Sequence, residues 1–181
     1  MSNEVGEATK IVAYDLPSES LKYLTPEQKN KVRSIRITCT RLLHELGVQA
    51  TESVILVAPS KINQIENVIA KVNQLYHRIG GLEMTPEIVA IPITRVQQEQ
   101  FNELARRRVL ERIDEGINRI TILLNNIATI TDEAIRKKMK KNLQETKTEY
   151  NTIKSMCEEL GIRDVNFDYL IQLIDQALGK L

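Results

Sequence analysis

The first half of the chain alternates between strand-like and helix-like apolar patterns. Short β-branched runs occupy 11–14 and 87–91, and a longer strand-like region covers 48–58. Pro92 removes a backbone donor, which predicts that the last of these strands lies near a strand end or a sheet edge. Between the strands, apolar residues recur every three or four positions, as on one face of a helix. If 48–58 bends into two strands, the order predicts an α+β fold with a ferredoxin-like split βαβ domain over 10–94, preceded by a flexible N-terminus at 1–9.

The two helices of this half have recognisable end signals. Thr25 before Pro26 is a typical helix start, and Gly47 is typical of the left-handed residue that ends a helix. Ser60 is expected to cap the second helix, and the glycine pair 80–81 is expected to end it.

Residues 95–181 contain no proline and are predicted to be helical throughout. Apolar positions before and after a turn signal at 129–132 are spaced three and four residues apart, which is a heptad pattern. This spacing predicts an antiparallel coiled-coil hairpin, followed by a short C-terminal helix from Asn166. Gly116 costs about 1 kcal/mol relative to alanine inside a helix, so it indicates close packing or a bend. The expected contact positions are Leu110, Ile113, Ile117, Ile120, Leu124 and Ile127 in the first helix, and Met139, Leu143, Thr146, Tyr150, Ile153, Cys157 and Leu160 in the second.

The amino-acid composition limits the kinds of ligand and site that the protein is expected to have. The 25 basic and 24 acidic side chains give a net charge of +1, so phosphate binding requires a local patch. Aromatic residues are 4% with no Trp, which argues against a stacking platform for single-stranded nucleic acid. Cys39 and Cys157 belong to no CxxC pair and are expected to be buried, unreactive thiols. No apolar run approaches the ~20 residues of a membrane span, so we expect a cytoplasmic protein with no membrane association.

Catalytic and cofactor motifs are missing from the sequence. There is no Walker loop, GxGxxG, HExxH or GxSxG pattern, and His44 and His77 have no second imidazole at helical spacing. We therefore expect no catalytic residue and no cofactor. Asp15 is the best single candidate for a metal ligand, because it follows a buried strand and precedes a turn; the alternative is a turn-capping role.

Two basic clusters are candidate nucleic-acid sites. Arg33 and Arg36 lie on a helix whose five basic residues have no acid between them. The second cluster lies at the hairpin tip, opposite a segment that begins with Arg119 and contains no acid. Phosphate binding and a solvated surface both explain such clusters. The tip residues are Arg136, Lys137, Lys138, Lys140 and Lys141.

The segments 11–17, 31–33, 42–49 and 53–57 resemble a known ferredoxin-like group. That group includes the small CRISPR-adaptation protein, the C-terminal part of the phenylacetate-degradation repressor and the N-terminal domain of chromate-resistance regulators. The resemblance covers residues 10–94. It implies a homodimer, and in the CRISPR-adaptation family it implies metal at the position of Asp15.

Three functions follow as expectations. The first is a non-enzymatic, dimeric protein that binds DNA or RNA through its basic patches, in transcription regulation or in a mobile-element or defence context. The second is a nuclease of the CRISPR-adaptation type, with Mg²⁺ held by Asp15. The third is an assembly module that binds a protein partner through its helical hairpin, which lies within the helical domain 95–181, without nucleic acid.

Overall fold

The computed structural model describes residues 9–20, 23–77 and 84–181. The chain forms two compact units, and the division falls between Ala105 and Arg106. Of the N-terminus 1–9 that is expected to be flexible, residues 1–8 lie outside the described residues, as does the helix stop expected at 80–81.

The first unit contains a four-stranded sheet and two helices. The strands are β1 (Lys10–Asp15), β2 (Gly47–Thr51), β3 (Val54–Val57) and β4 (Glu87–Pro92). The sheet order is β2-β3-β1-β4, and every neighbouring pair is antiparallel. The region 48–58 therefore bends into two strands, as the fold prediction required.

Helix α1 (Pro26–His44) follows β1, and helix α2 (Ile65–His77) follows β3. Thr25 caps α1 as predicted: its hydroxyl accepts from the Gln28 amide, and the Gln28 side chain accepts from the Thr25 amide. Ser60 does not start the second helix. A short 3-10 helix, Pro59–Gln64, begins after Ala58 and leads into α2.

Gly47 has a different role from the predicted helix stop. Helix α1 already ends at His44, and Gly47 is the first residue of β2 without a left-handed conformation. A Cβ at this position would overlap the carbonyl oxygen of Leu56 on β3. The glycine is therefore required by the close approach of two strands.

Both helices pack against one face of the sheet. Val12, Ile55 and Val57 of the sheet join the buried side chains of the helices in a single core. On the opposite face, the strand register aligns Ile11, Leu56 and Val48, which are also buried. The second face is therefore covered at these positions of β1, β2 and β3.

Edge strand β4 remains largely exposed. Val89 is 55% exposed and Ile91 is 41% exposed. The prediction that Pro92 lies at a strand end or sheet edge is confirmed, because it is the last residue of an edge strand.

The second unit consists of three helices. Helix α3 (Arg95–Asn126) begins in the first unit and continues into the second, with a length of about 48 Å. A short 3-10 turn, Ile127–Thr129, leads to α4 (Glu133–Leu160), and Gly161 ends α4 in the left-handed conformation. Helix α5 (Asp168–Lys180) follows.

The expected contact positions of α3 and α4 are all at least half-buried. In each helix one heptad row is fully buried, whereas the other row is half-buried except for the buried Leu160 at the end of α4. Ile117 and Ile153 belong to the half-buried rows. The fully buried rows are Ile113 and Ile120 in α3, continued by Ile127 in the 3-10 turn, and Leu143, Tyr150 and Cys157 in α4.

Helix α5 shares this core with the two long helices. Its Leu170 lies beside Gly116, where an added Cβ would come within 3.0 Å of the leucine Cδ2 and 2.6 Å of the Tyr150 Oη. Two ion pairs join α4 to α5: Lys147 to Asp175 at 2.6 Å, and Lys154 to Asp168 at 3.0 Å. Gly116 therefore marks close packing, one of the two roles that the sequence indicated.

Within the described part of the chain, none of the helices combines the length and the apolar character that crossing a membrane requires.

Candidate functional site

An open cleft of about 490 Å³ lies at the C-terminal end of β1. The end of β1 and the loop after it form one side, α1 forms another, and the β2–β3 turn closes the third. The cleft brings together three residues singled out in the sequence, namely Asp15, Arg33 and Arg36. All of these parts belong to the first unit.

The helical repeat of α1 places its cleft-facing residues. Arg33, Arg36 and Thr40 are spaced three and four positions apart, so they share one face beside the buried stripe of Val32 and Cys39. Arg41 lies on the same helix but does not line the cleft. Arg33 forms no ion pair with any residue that the structure describes.

The loop after β1 positions a carboxylate opposite this basic face. Leu16 is buried, and the Tyr76 hydroxyl donates to the Pro17 carbonyl oxygen at 3.1 Å, which fixes the loop. Glu19 then lies with its Oε2 3.8 Å from Nη1 of Arg36. The two groups form an ion pair that is too long for a hydrogen bond, and the buried Oε2 accepts no hydrogen bond from the described residues.

Tyr14 forms the inner wall of the cleft. Its hydroxyl donates to the Glu52 carbonyl oxygen at 3.0 Å and lies 3.4 Å from Nε2 of His44. The Gln49 amide donates to the same carbonyl oxygen at 3.3 Å. Burial raises the pKa of Tyr14, and Arg36 partly offsets this effect. Tyr14 is therefore a neutral side chain at physiological pH, and its hydroxyl is engaged by the β2–β3 turn.

Asp15, the candidate metal ligand, is exposed at the end of β1, directly across from Glu87 on β4. Two carboxylates at opposed strand positions repel each other. Among residues 9–20, 23–77 and 84–181, no three His, Cys, Asp or Glu side chains lie close enough together to hold a metal ion. We define no metal site in the single chain.

The second basic cluster lies at the tip, which we define as residues 127–141. Arg136 is engaged there by backbone oxygens: it donates to Ile130 at 3.2 Å, to Lys180 at 2.8 Å and to Leu181 at 3.3 Å. These bonds hold the end of α5 against the turn. Arg136 therefore acts in the structure of the unit, which its place in a run of lysines did not reveal.

The other basic residues at the tip, together with Arg119 of the opposite segment, separate into two groups. Lys141 lies 3.8 Å from Glu145, and Arg119 lies 3.4 Å from Glu115, both as exposed pairs on their own helices. Lys137, Lys138 and Lys140 are exposed and form no ion pair with the described residues. We call these three residues the tip lysines.

Both cysteines are buried, as predicted. Burial raises the pKa of Cys39 and of Cys157 to about 11, so both thiols stay protonated at neutral pH. Neither thiol lines the cleft.

Sequence reasoning missed the other walls of the cleft. Glu19, Thr40 and Gln49 come from a loop, a helix and a strand that meet only in the folded chain. Thr40 was detectable, since it lies on the face of Arg33 and Arg36. Glu19 and Gln49 have no local signal that relates them to that face.

Comparison of the chain with protein-family models, with curated proteins and with solved structures gives no match. The function is therefore inferred from the geometry alone.

Proposed function

We propose that the protein binds DNA or RNA without catalysing a reaction, and that the tip lysines provide the contacts to phosphate. One observation supports this proposal above the others: Lys137, Lys138 and Lys140 are exposed and unpaired among the described residues. Cations that already have a carboxylate partner gain less from a phosphate, since the existing pair must first be broken.

The charge around the tip supports the same interpretation. Residues 127–141 contain five basic and two acidic side chains, a net charge of +3. One of the acids, Asp132, caps α4 by accepting from the amides of Ala134 at 2.8 Å and Ile135 at 3.1 Å. Its charge therefore interacts with the positive end of the helix dipole. A positive local field at a surface with exposed lysines suits the phosphate backbone of nucleic acid.

A triple variant tests the proposal. Replacing the three tip lysines by glutamine should weaken binding to duplex DNA and leave the melting temperature unchanged, because the side chains are exposed and glutamine keeps helix propensity. Binding is measured by fluorescence anisotropy at two salt concentrations.

The matched control replaces Lys31, Lys61 and Lys71 by glutamine, which changes the net charge equally in the other unit. The control should bind DNA like the wild type. Equal loss of affinity in both triple variants would show that net charge, not the tip, attracts the nucleic acid.

The nuclease alternative has its own test. The proposal expects DNA to remain intact during incubation with Mg²⁺. Cleavage that requires Mg²⁺ and disappears in Asp15→Ala would replace the proposal with a metal-dependent nuclease.

We add two inferences about the fold to this proposal. We infer a ferredoxin-like sheet unit, supported by the order β2-β3-β1-β4 with antiparallel neighbours. We also infer a coiled-coil arrangement of α3 and α4, supported by the fully buried heptad rows.

The homodimer remains part of the proposal. The exposed Val89 and Ile91 on edge strand β4 support it. Light scattering should give twice the chain mass for the wild type, and Val89→Lys should lower it to one chain mass. A wild-type monomer at micromolar concentration would remove the dimer.

A further inference from the structure

The cleft at the end of β1 contains charged side chains that lack hydrogen-bond partners among the described residues. No structural role described above accounts for them. Arg33 has no ionic partner among the described residues, and Arg36 faces Glu19 across 3.8 Å. The buried Oε2 of Glu19 accepts no hydrogen bond from them. Arg33 therefore retains its binding capacity, and the long ion pair of Arg36 and Glu19 leaves hydrogen-bonding atoms of both side chains unused among the described residues.

The hydrogen-bond donors of the cleft lie close enough together for one anion to contact several of them. Arg33 and Arg36 are three positions apart on α1, so their side chains project from the same face into the cleft. Guanidinium groups bind phosphate oxygens through paired N–H donors. The hydroxyls of Thr40 and Ser53 line the same cleft and can add hydrogen bonds.

The carboxylates of the cleft indicate that the ligand carries hydrogen-bond donors in addition to an anionic group. Asp15 and Glu19 line the cleft beside the arginines and would repel an isolated phosphate. A ligand that also presents hydroxyl or amino donors would satisfy these carboxylates and reach the arginines together. Ribose hydroxyls have this chemistry, and a nucleotide unit fits a cleft of about 490 Å³, within the size range of small-molecule sites.

We infer that this cleft binds a single nucleotide unit, with its phosphate on Arg33 and Arg36 and its sugar hydroxyls toward Asp15 and Glu19. The inference goes beyond the proposed function, whose tip lysines lie in the other unit. The two sites can therefore fail independently.

Titration calorimetry with AMP, adenosine and inorganic phosphate tests the inference on the full chain. AMP should bind with one site per chain. Adenosine and inorganic phosphate should each bind at least tenfold more weakly, because each supplies only half of the contacts. No saturable binding of AMP at low salt, or inorganic phosphate binding as tightly as AMP, would overturn the inference.

Variants localise the site. Arg33→Gln should weaken AMP binding at least tenfold. Arg41→Gln is the matched control, because it removes the same charge from the same helix outside the cleft, and its affinity for AMP should match the wild type. Equal affinity in Arg33→Gln and the wild type would overturn the inference, provided that circular dichroism shows both to be folded. The triple tip variant should also bind AMP like the wild type.

Two oligonucleotides distinguish the source of the nucleotide. If the cleft takes the end of a strand, a 5′-phosphorylated oligonucleotide should compete with AMP and its 5′-hydroxyl counterpart should not. If neither competes, the site takes a free nucleotide.

Discussion

At the scale of single residues, Gly116 leaves no room for a side chain. The Tyr150 hydroxyl donates to the Arg112 carbonyl oxygen at 3.0 Å, so it cannot easily move away from an added Cβ. Gly116→Ala should therefore lower the free energy of unfolding by about 1–3 kcal/mol, as overpacking does, despite the better helix propensity of alanine. Chemical denaturation measures the change.

Tyr150→Phe provides the matching test of this contact, because it removes the oxygen that the new Cβ would meet. The double variant should lose less stability than the two single changes together, with a coupling of at least about 0.5 kcal/mol. Additive losses, or a stabilising Gly116→Ala, would show that this contact does not limit the site.

The buried thiol of Cys39 should make stability depend on alkaline pH. The unfolded thiol loses its proton near its ordinary pKa of 9.0, whereas the folded thiol keeps it until about pH 11. The unfolded state therefore binds fewer protons above pH 9, and stability falls as the pH rises. Between pH 8 and 10 the free energy of unfolding of the wild type should fall by roughly 1.4 kcal/mol more than that of Cys39→Ala. The comparison uses the loss within each protein, so that the cavity in the variant cancels. The same loss in both proteins would contradict the assignment.

At the scale of secondary-structure elements, the two heptad rows of α3 should differ in energy. Ile113 is 4% exposed and Ile117 is half-buried. Ile113→Ala should cost about 2–5 kcal/mol, and Ile117→Ala should cost clearly less. Both substitutions remove the same atoms from the same helix, so each controls for the other. Equal losses of stability would show that both rows face the core alike.

The elements also show how far the sequence alone predicts this fold. Thr25 and Pro26 predict the start of α1 correctly, because a helix cap depends on residues within one turn. Gly47 was misinterpreted because its reason is the carbonyl oxygen of Leu56, nine residues away on a paired strand. Heptad spacing identifies the contact positions of α3 and α4 but not which row is fully buried, since that depends on tertiary packing.

The candidate sites also divide into features set by nearby residues, which the sequence predicts, and features set by tertiary contacts, which it does not. A run of basic residues predicts the tip cluster, yet the end of α5 engages Arg136 through contacts 44 and 45 residues apart in sequence. Helical spacing places Arg33 and Arg36 together, but Glu19 reaches Arg36 only because a loop folds over the end of β1. Features that depend on residues close together in the sequence are therefore predictable from the sequence. A site that is assembled from three separate elements is not.

At the scale of the whole molecule, a net charge of +1 gives little general attraction to nucleic acid. Binding must then come from a few localised contacts, and we expect about three phosphate contacts, one for each tip lysine. Each phosphate contact releases condensed counterions, so the number of contacts determines how steeply affinity falls with salt.

The salt dependence of DNA binding by the wild-type protein tests this account most directly. Dissociation constants for one short duplex are measured by anisotropy from roughly 50 to 200 mM NaCl, the range in which counterion release governs affinity. We expect the logarithm of the association constant, the reciprocal of the measured dissociation constant, to fall against log salt with a slope of about −2 to −3. No binding at the lowest salt, or an affinity that does not change with salt, would contradict it.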